Sequence, residues 1–529
     1  MLMAFHRYRR DGASAFPFKG QSPAFWGAAA LLLLAAVQSC FPAPPESLTM
    51  VGGPLTLSRD LTASYALDWA GYAALLLILP PVFRDPKAVT RLAWGILMMG
   101  ATLSLVGLAQ RMAGDSHYLG LRPINQLGVP FGPFPNKNHA GALLAAAFCA
   151  GAGILTELVA DRRRLARERR TDELMGRFLV LSCLLFATGA GLLASRSRAA
   201  LAGLILTGAF VAFLRILDRS VPSGSRMLSA ALVASAAAAG TLAHLADVSL
   251  LGRLASGSIN SVDFRIAMAK DALRLIGDFP FFGVGLGAFR VASPLYHDPV
   301  LGMYFVDYVH CEPLQLASEA GIPFALLFFS SMISAVALSW HRTGRGSAAG
   351  RTISRGLLCA CMVVMLHQLV DFPNRIPGVQ VVWIAALAAV WGLRQPSMNS
   401  RRPAPPPRRQ AGFALFLFVA WLAAFGPKLA ASYFDFMASR TIPPSTHYFQ
   451  NAALSWRPSF ERQWAMAWSY SRAAAETPAA RIVLWRHALR HSRAAMDLQP
   501  YHPNLRRFHA SILAALGRQA DARDLLGPP

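Results

Sequence analysis

Long apolar runs separated by short polar stretches set the pattern of this chain. Eleven such runs stand out, at residues 23–41, 66–83, 92–110, 138–160, 178–194, 199–214, 227–246, 313–340, 356–370, 379–393 and 411–427. A helix that crosses a bilayer needs about 20 residues, with a range of roughly 17 to 25. The pattern therefore predicts an all-α, polytopic membrane bundle of about eleven spans. The eighth run is too long for one crossing, and Gly321-Ile322-Pro323 inside it predicts a break, with the span starting after it.

Composition agrees with this pattern. Of 529 residues, 54% are hydrophobic and 15% charged, too apolar for one soluble domain and too little charged for a disordered chain. The six cysteines show no paired framework and no C-x-x-C, which excludes a disulfide scaffold and a zinc domain. Residues 1–22 and the first run make a poor secretory signal, since they lack an A-x-A site and ten more runs follow. The Val37–Cys40 stretch fits a lipoprotein box badly at Gln38.

The formal charge is +24, from 51 Lys plus Arg against 27 Asp plus Glu. In a soluble protein that excess would suggest nucleic acid. Here it follows topology, and no nucleic-acid partner is expected. With a cytoplasmic N-terminus, the inside segments hold 26 Lys/Arg in 91 residues and the outside loops 12 in 129. This bias is the one the positive-inside rule requires. The Arg162–Arg170 block then reads as a topology anchor. The expected organisation is a cytoplasmic segment 1–22, a transmembrane unit 23–427 that includes a large outer loop at 247–312, and a helical tail at 428–529 on the outer side. The tail carries 13 basic and 6 acidic residues. Amphipathic helices are predicted at 481–498 and 505–516, in a pattern similar to part of a tetratricopeptide unit. A docked helical appendage is an equal reading, because fewer than three clear repeats are visible.

Four polar clusters fall at the outer rim, where polar groups are costly and tend to be functional. The first is Gly132–His139. Its Asn138 can cap the next helix, whose free amides, with Lys137, can hold an anion; a simple proline turn and cap is the alternative. The second is Ser195-Arg196-Ser197-Arg198, two guanidiniums between spans with almost no loop. They suit bidentate phosphate binding, or else snorkel to lipid headgroups. The third lies in the long loop, where Asp263-Phe264-Arg265 opens a helix running to Ile276. The glycines of 277–290 after it lack the strand–turn–helix context of a nucleotide loop, so a tight apolar turn over the bundle is expected. The loop ends at His310-Cys311-Glu312, with Gln315 and Glu319 nearby. The fourth is His367–Arg375, in which His367 and Asp371 are expected to share a helix face, either as functional groups or as a hydrogen-bonded brace.

In this order, the pieces G-P-F-P-N-K-N-H-A-G, S-R-S-R-A-A-L-A-G, D-F-R-I-A-M-A-K-D-A-L-R-L-I-G-D-F-P-F-F-G-V-G-L-G-A-F, H-C-E-P-L-Q-L-A-S-E-A-G-I-P and H-Q-L-V-D-F-P-N-R-I-P resemble the O-antigen ligase and polymerase superfamily. These are integral-membrane glycosyltransferases. The likeness covers residues 123–393, with Cys311 where the family usually has Asn. It implies a polyprenyl-diphosphate-linked glycan as donor and lipid A–core, a growing polysaccharide or a protein side chain as acceptor. It places the reaction at the outer face of a bacterial inner membrane, among membrane lipids. The implied roles are His310 as the base, Arg196 and Arg265 at the reacting centre, and Arg198, Asn138 and Lys137 on the donor diphosphate. Glu312, Gln315, His367 and Asp371 are the implied supporting residues. Cleaving a glycosyl–diphosphate bond leaves negative charge for guanidiniums to stabilise, and imidazole is suited to take a hydroxyl proton near neutral pH. No Asp-x-Asp or carboxylate cluster appears, so no metal or other cofactor is expected.

Two other classes fit many spans. A transporter of an anion or lipid-linked sugar would be expected to show two corresponding halves with broken helices, and no such repeat is visible. A non-catalytic assembly factor would use its tail to bind envelope proteins, and loss of residues 440–529 would disable it.

Overall fold

The structure, a computed structural model, describes residues 21–41, 55–114, 117–118, 122–123, 130–167, 171–217, 261–301, 306–345, 350–393, 430–431, 434, 445–456, 459–498 and 502–526. The expected spans at 227–246 and 411–427 lie outside these residues, as do nearly all of 1–22 and all the arginines at 394–410.

The described chain is helical throughout, apart from a two-residue antiparallel pairing of His117–Tyr118 (β1) with Arg122–Pro123 (β2). The bundle contains α1 (Pro23–Cys40), α2 (Arg59–Val82), α3 (Pro86–Met112), α4 (Lys137–Arg167), α5 (Thr171–Ser195) and α6 (Arg198–Leu217). After the loop helix α7 (Ser261–Asp278) come α8 (Glu312–Ala320), α9 (Ile322–Arg345), α10 (Arg351–His367) and α11 (Pro377–Gly392). Seven of these helices are long and apolar enough to cross a membrane: α1 to α6 and α9. The shorter α11, of 16 residues, is apolar apart from Gln380.

The bundle has the inverted surface of a lipid-facing protein. Leu33, Leu105, Phe186, Leu193 and Leu326 are all exposed, although each sits in a long apolar helix. The centre is filled by α4, α10 and α11, whose buried residues are mostly Ala, Leu and Val. Since lipid is as apolar as leucine, such helices associate through close packing. Gly153 of α4 and Gly356 of α10 show how close: a Cβ on Gly356 would sit 2.7 Å from the Gly153 Cα.

The break inside the eighth run is at Gly321, between α8 and α9. Its φ is +82°, and a Cβ there would lie 2.2 Å from the Phe281 carbonyl oxygen. That carbonyl belongs to the glycine-rich turn of the long loop. Buried Gln38 of α1 holds the same turn, donating to the Phe282 and Glu319 carbonyls at 2.8 and 3.1 Å and accepting from the Leu286 amide at 3.1 Å. The turn packs on the bundle, as its apolar character predicts.

The loop has its own small core, in which Met268, Leu275, Val284, Phe289 and Val309 are buried together. Asp271 of α7 is buried beside it, accepting from the Asp298 amide at 3.2 Å with Arg274 at 3.4 Å. Burial pushes its carboxyl up to about 6, against an ordinary value of about 3.9. A raised carboxyl favours the folded loop most when protonated. Its stabilisation is complete below about pH 4 and is lost as pH rises through about 6. After correction for intrinsic rates, amides of α7 should exchange more slowly at pH 5 than at pH 7. Asp271→Asn should remove the difference; an unchanged pH dependence in that variant would refute the assignment.

Near the C-terminus, α12 (Ser445–Trp456), α13 (Phe460–Glu476), α14 (Arg481–Leu498), α15 (Pro503–Ala515) and α16 (Gln519–Leu526) pack each against the next. Trp468 stacks on Phe508 with ring centroids 5.4 Å apart.

Candidate functional site

The polar ends of the helices meet at one end of the bundle around Asp371, which is fully buried. Its Oδ2 accepts from the Asn138 side-chain amide at 2.8 Å. Its Oδ1 lies 3.1 Å from His310 Nδ1 and 3.6 Å from His139 Nε2, and also accepts from the Phe372 amide at 2.9 Å. Burial alone would raise this carboxyl. The two histidines outweigh burial and hold it well below the usual carboxylate range. An ionised carboxylate only accepts, so His310 donates Nδ1–H to it, and in the neutral ring Nε2 then holds the lone pair. A carboxylate that orients an imidazole in this way leaves the far nitrogen to act as a base.

Phe372 fixes the group from the other side, with ring centroids 4.8 Å from His139, 4.9 Å from His310 and 4.2 Å from Tyr308. His367 is buried at the end of α10, where the charges of Asp371, His139 and Arg265 act on it. Arg265 of α7 is therefore within electrostatic reach of the histidine group. The expected His367–Asp371 brace on one helix face is not formed. Helix α10 stops at His367, Asp371 follows the turn at 368–370, and among the described residues both ring nitrogens of His367 lack a hydrogen-bond partner. The turn aims the carboxylate at His310 and Asn138 instead.

The first turn of α4 joins this group to the arginines. Asn136, not Asn138, caps the helix, its Oδ1 accepting from the Asn138 amide at 2.9 Å. The cap falls one position ahead of the first helical residue, Lys137, which leaves the Asn138 side chain free to reach Asp371. Lys137, one residue earlier, feels the charges of Arg111, Arg198 and Arg196. In the Ser195–Arg198 connection the serines point in and the arginines out: Ser195 and Ser197 are fully buried, Arg196 and Arg198 exposed. Ser197 Oγ caps α6 by accepting from the Ala200 amide at 3.3 Å.

Two non-glycine residues among those described have positive φ, Arg196 at +52° and His310 at +56°. Left-handed backbone is unfavourable for such side chains and persists where the surroundings impose it, often at functional positions. Both are among the site residues that the family resemblance implies.

A second polar group adjoins the first. Arg375 is nearly buried between Glu312, at 2.8 and 3.0 Å, and Glu319, at 2.9 Å. Gln315 donates to Glu319 at 2.7 Å and accepts from the Val309 amide at 2.7 Å. The guanidinium lies over Tyr65 and Tyr308, 5.5 and 5.8 Å from their ring centroids. Burial pushes the Glu312 carboxyl up and Arg375 pulls it part of the way back. Burial acts against the Arg375 charge, but the two carboxylates outweigh it, so the guanidinium stays firmly protonated. Glu312 thus braces the loop through Arg375, and Gln315 does so through Glu319 and the Val309 amide. A cavity of about 260 Å³ opens on this group, lined by Tyr65, Trp69, Tyr308, Gln368 and Arg375 among others. His310, Arg196 and Arg265 are not among its lining residues.

The O-antigen ligase family model matches residues 182–329. That stretch contains Arg196, Arg198, Arg265, His310, Glu312 and Gln315. The match covers less than half of the chain and supports membership of the O-antigen ligase/polymerase family. No curated protein matches the chain significantly. The matched stretch supports O-antigen ligase/polymerase-like glycosyl transfer in general. The first turn of α4, Asp371 and Arg375 lie outside the matched stretch, and they complete the polar ring around its histidine.

Proposed function

We propose that the chain transfers a glycan from a polyprenyl-diphosphate donor to a saccharide acceptor at the outer face of the cytoplasmic membrane. The observation that carries this reading is the Asp371–His310 pair, joined through the first turn of α4 to the Lys137–Arg196–Arg198 cations. The acceptor oxygen attacks the anomeric carbon as the glycosyl–diphosphate bond breaks. The hydroxyl proton passes to His310 Nε2 while Asp371 holds Nδ1–H, and the lipid diphosphate leaves with its negative charge facing the guanidiniums. A single displacement of this kind inverts the anomeric centre.

The same end of the bundle carries the long loop, and the basic bias of the segments at the opposite end supports placing it outside. The charge of Arg290, beside the cavity, acts on His502 at the start of α15, which supports a tail on that side. In this reading the tail is a tetratricopeptide-like appendage that meets acceptor or envelope proteins, and the bundle has about eleven spans.

The direct test is purified protein with a lipid-diphosphate glycan and candidate acceptors, the products being weighed by mass spectrometry. Arg196→Ala should lower transfer by about 10²-fold or more, as losses of transition-state charge stabilisation do. Arg196→Lys should recover part of it, because charge remains but the planar fork does not. If both variants transfer at the wild-type rate, the arginine plays no part in holding the diphosphate.

A further inference from the structure

The 260 Å³ cavity has a chemistry opposite to that of the arginine rim. Its walls carry four carboxylates, Asp68, Asp307, Glu312 and Glu319, against two guanidiniums, Arg290 and Arg375. Both guanidiniums are already paired, Arg375 with Glu312 and Glu319, and Arg290 with Asp307 at 3.2 Å. Such a lining repels a diphosphate. One wall is the aromatic face of α2, where Tyr65, Trp69 and Tyr72 recur at helical spacing with Asp68 between them. Tyr308 supplies a further ring.

Three buried polar atoms at the cavity lack a hydrogen-bond partner among the described residues: Gln368 Nε2, Asn374 Oδ1 and Arg375 Nη1. Gln368 is 3% exposed, and the Arg375 side chain 8%. Leaving such groups unpaired costs about 1–3 kcal/mol each, and more when charged, so they point to a ligand. Two donors, one acceptor, carboxylates and flat apolar rings match a compact molecule with many hydroxyls and an apolar ring face. The volume lies near the lower end of ordinary ligand pockets, which suits a single ring and excludes a long glycan. Tyr308 lines the cavity and stacks on Phe372, which touches His310, so a ring held here is next to the base.

We propose that this cavity is a saccharide subsite for one uncharged sugar ring. Its assignment to the acceptor rests on the glycosyl-transfer reading above; sugar binding itself does not. Asn374, Gln368 and Arg375 hold the hydroxyls, and the Tyr65–Trp69 face takes the apolar side of the ring.

The test uses the full chain in detergent, with methyl glycosides of neutral hexoses and N-acetylhexosamines as probes, read by saturation-transfer NMR. Ring protons of at least one glycoside should receive saturation. Trp69→Leu and Asn374→Leu should each weaken binding at least tenfold, and inorganic pyrophosphate should not displace the glycoside. In the transfer assay Asn374→Leu should raise the acceptor KM at least tenfold while leaving the donor KM alone. Absence of saturation with folded wild-type protein overturns the subsite. So does wild-type binding by both variants, or displacement by pyrophosphate. If glycosides bind as expected but no acceptor is ever modified, the subsite stands and the glycosyl-transfer reading falls.

Discussion

His310→Ala is expected to reduce glycan transfer by about 10²–10⁴-fold, the usual worth of a positioned general base, with little change in donor binding. Alanine also removes a side chain from a strained turn, so a second variant is needed to separate chemistry from folding. His310→Asn suits this purpose. Asparagine tolerates the left-handed backbone that His310 adopts at φ +56°, yet it cannot take up a proton. Both variants should therefore be inactive and folded. Asp371→Asn should fall in the same group, because an amide in place of the carboxylate no longer fixes the Nδ1–H tautomer. The measurement is product formation by mass with a lipid-diphosphate glycan. Wild-type turnover by folded His310→Asn would remove the imidazole from the mechanism.

The sequence made some of this centre legible and hid the rest for a physical reason. Hydrophobic period reports local structure, so the spans with a long apolar period were visible, and Gly321-Ile322-Pro323 marked the break before α9. Cation density offers an expectation of which end of the bundle faces the cytoplasm. Residue chemistry then picked Arg196 and His310 from the rim. Pairings across the fold leave no local trace. Gln38 grips a turn 244 positions away, and within its own helix it is one polar residue in an apolar run. Asn138 meets Asp371 across 233 positions, whereas local spacing offered it as a cap. Tyr65 lies at the entrance of a span and shows its importance only when Tyr308 and Arg375 approach it. One signal for Arg375 was present. Glu312 and Glu319, seven apart, lie on one face of a short helix beside the membrane, and two carboxylates there need a cation. Arg375 is the one Lys or Arg in the 371–378 segment.

That requirement gives the largest expected loss of stability. Arg375→Met should destabilise the folded chain by about 3–5 kcal/mol, the usual effect of removing one partner from a buried ion pair. Methionine fills much of the same volume, so the loss comes mainly from stranding Glu312 and Glu319, whose side chains are 7% and 1% exposed. Two outcomes follow from that cause. Arg375→Lys should recover only part of the stability, since an ammonium cannot hold two carboxylates in the fork geometry of a guanidinium. Adding Glu312→Gln and Glu319→Gln to Arg375→Met should restore more than the lysine does, because the buried charge is then gone. Thermal unfolding of the detergent-solubilised variants reads all three. Were the triple variant as unstable as Arg375→Met alone, the loss would reflect packing against Tyr65 and Tyr308, and the ion pair would not be what braces the loop beside His310.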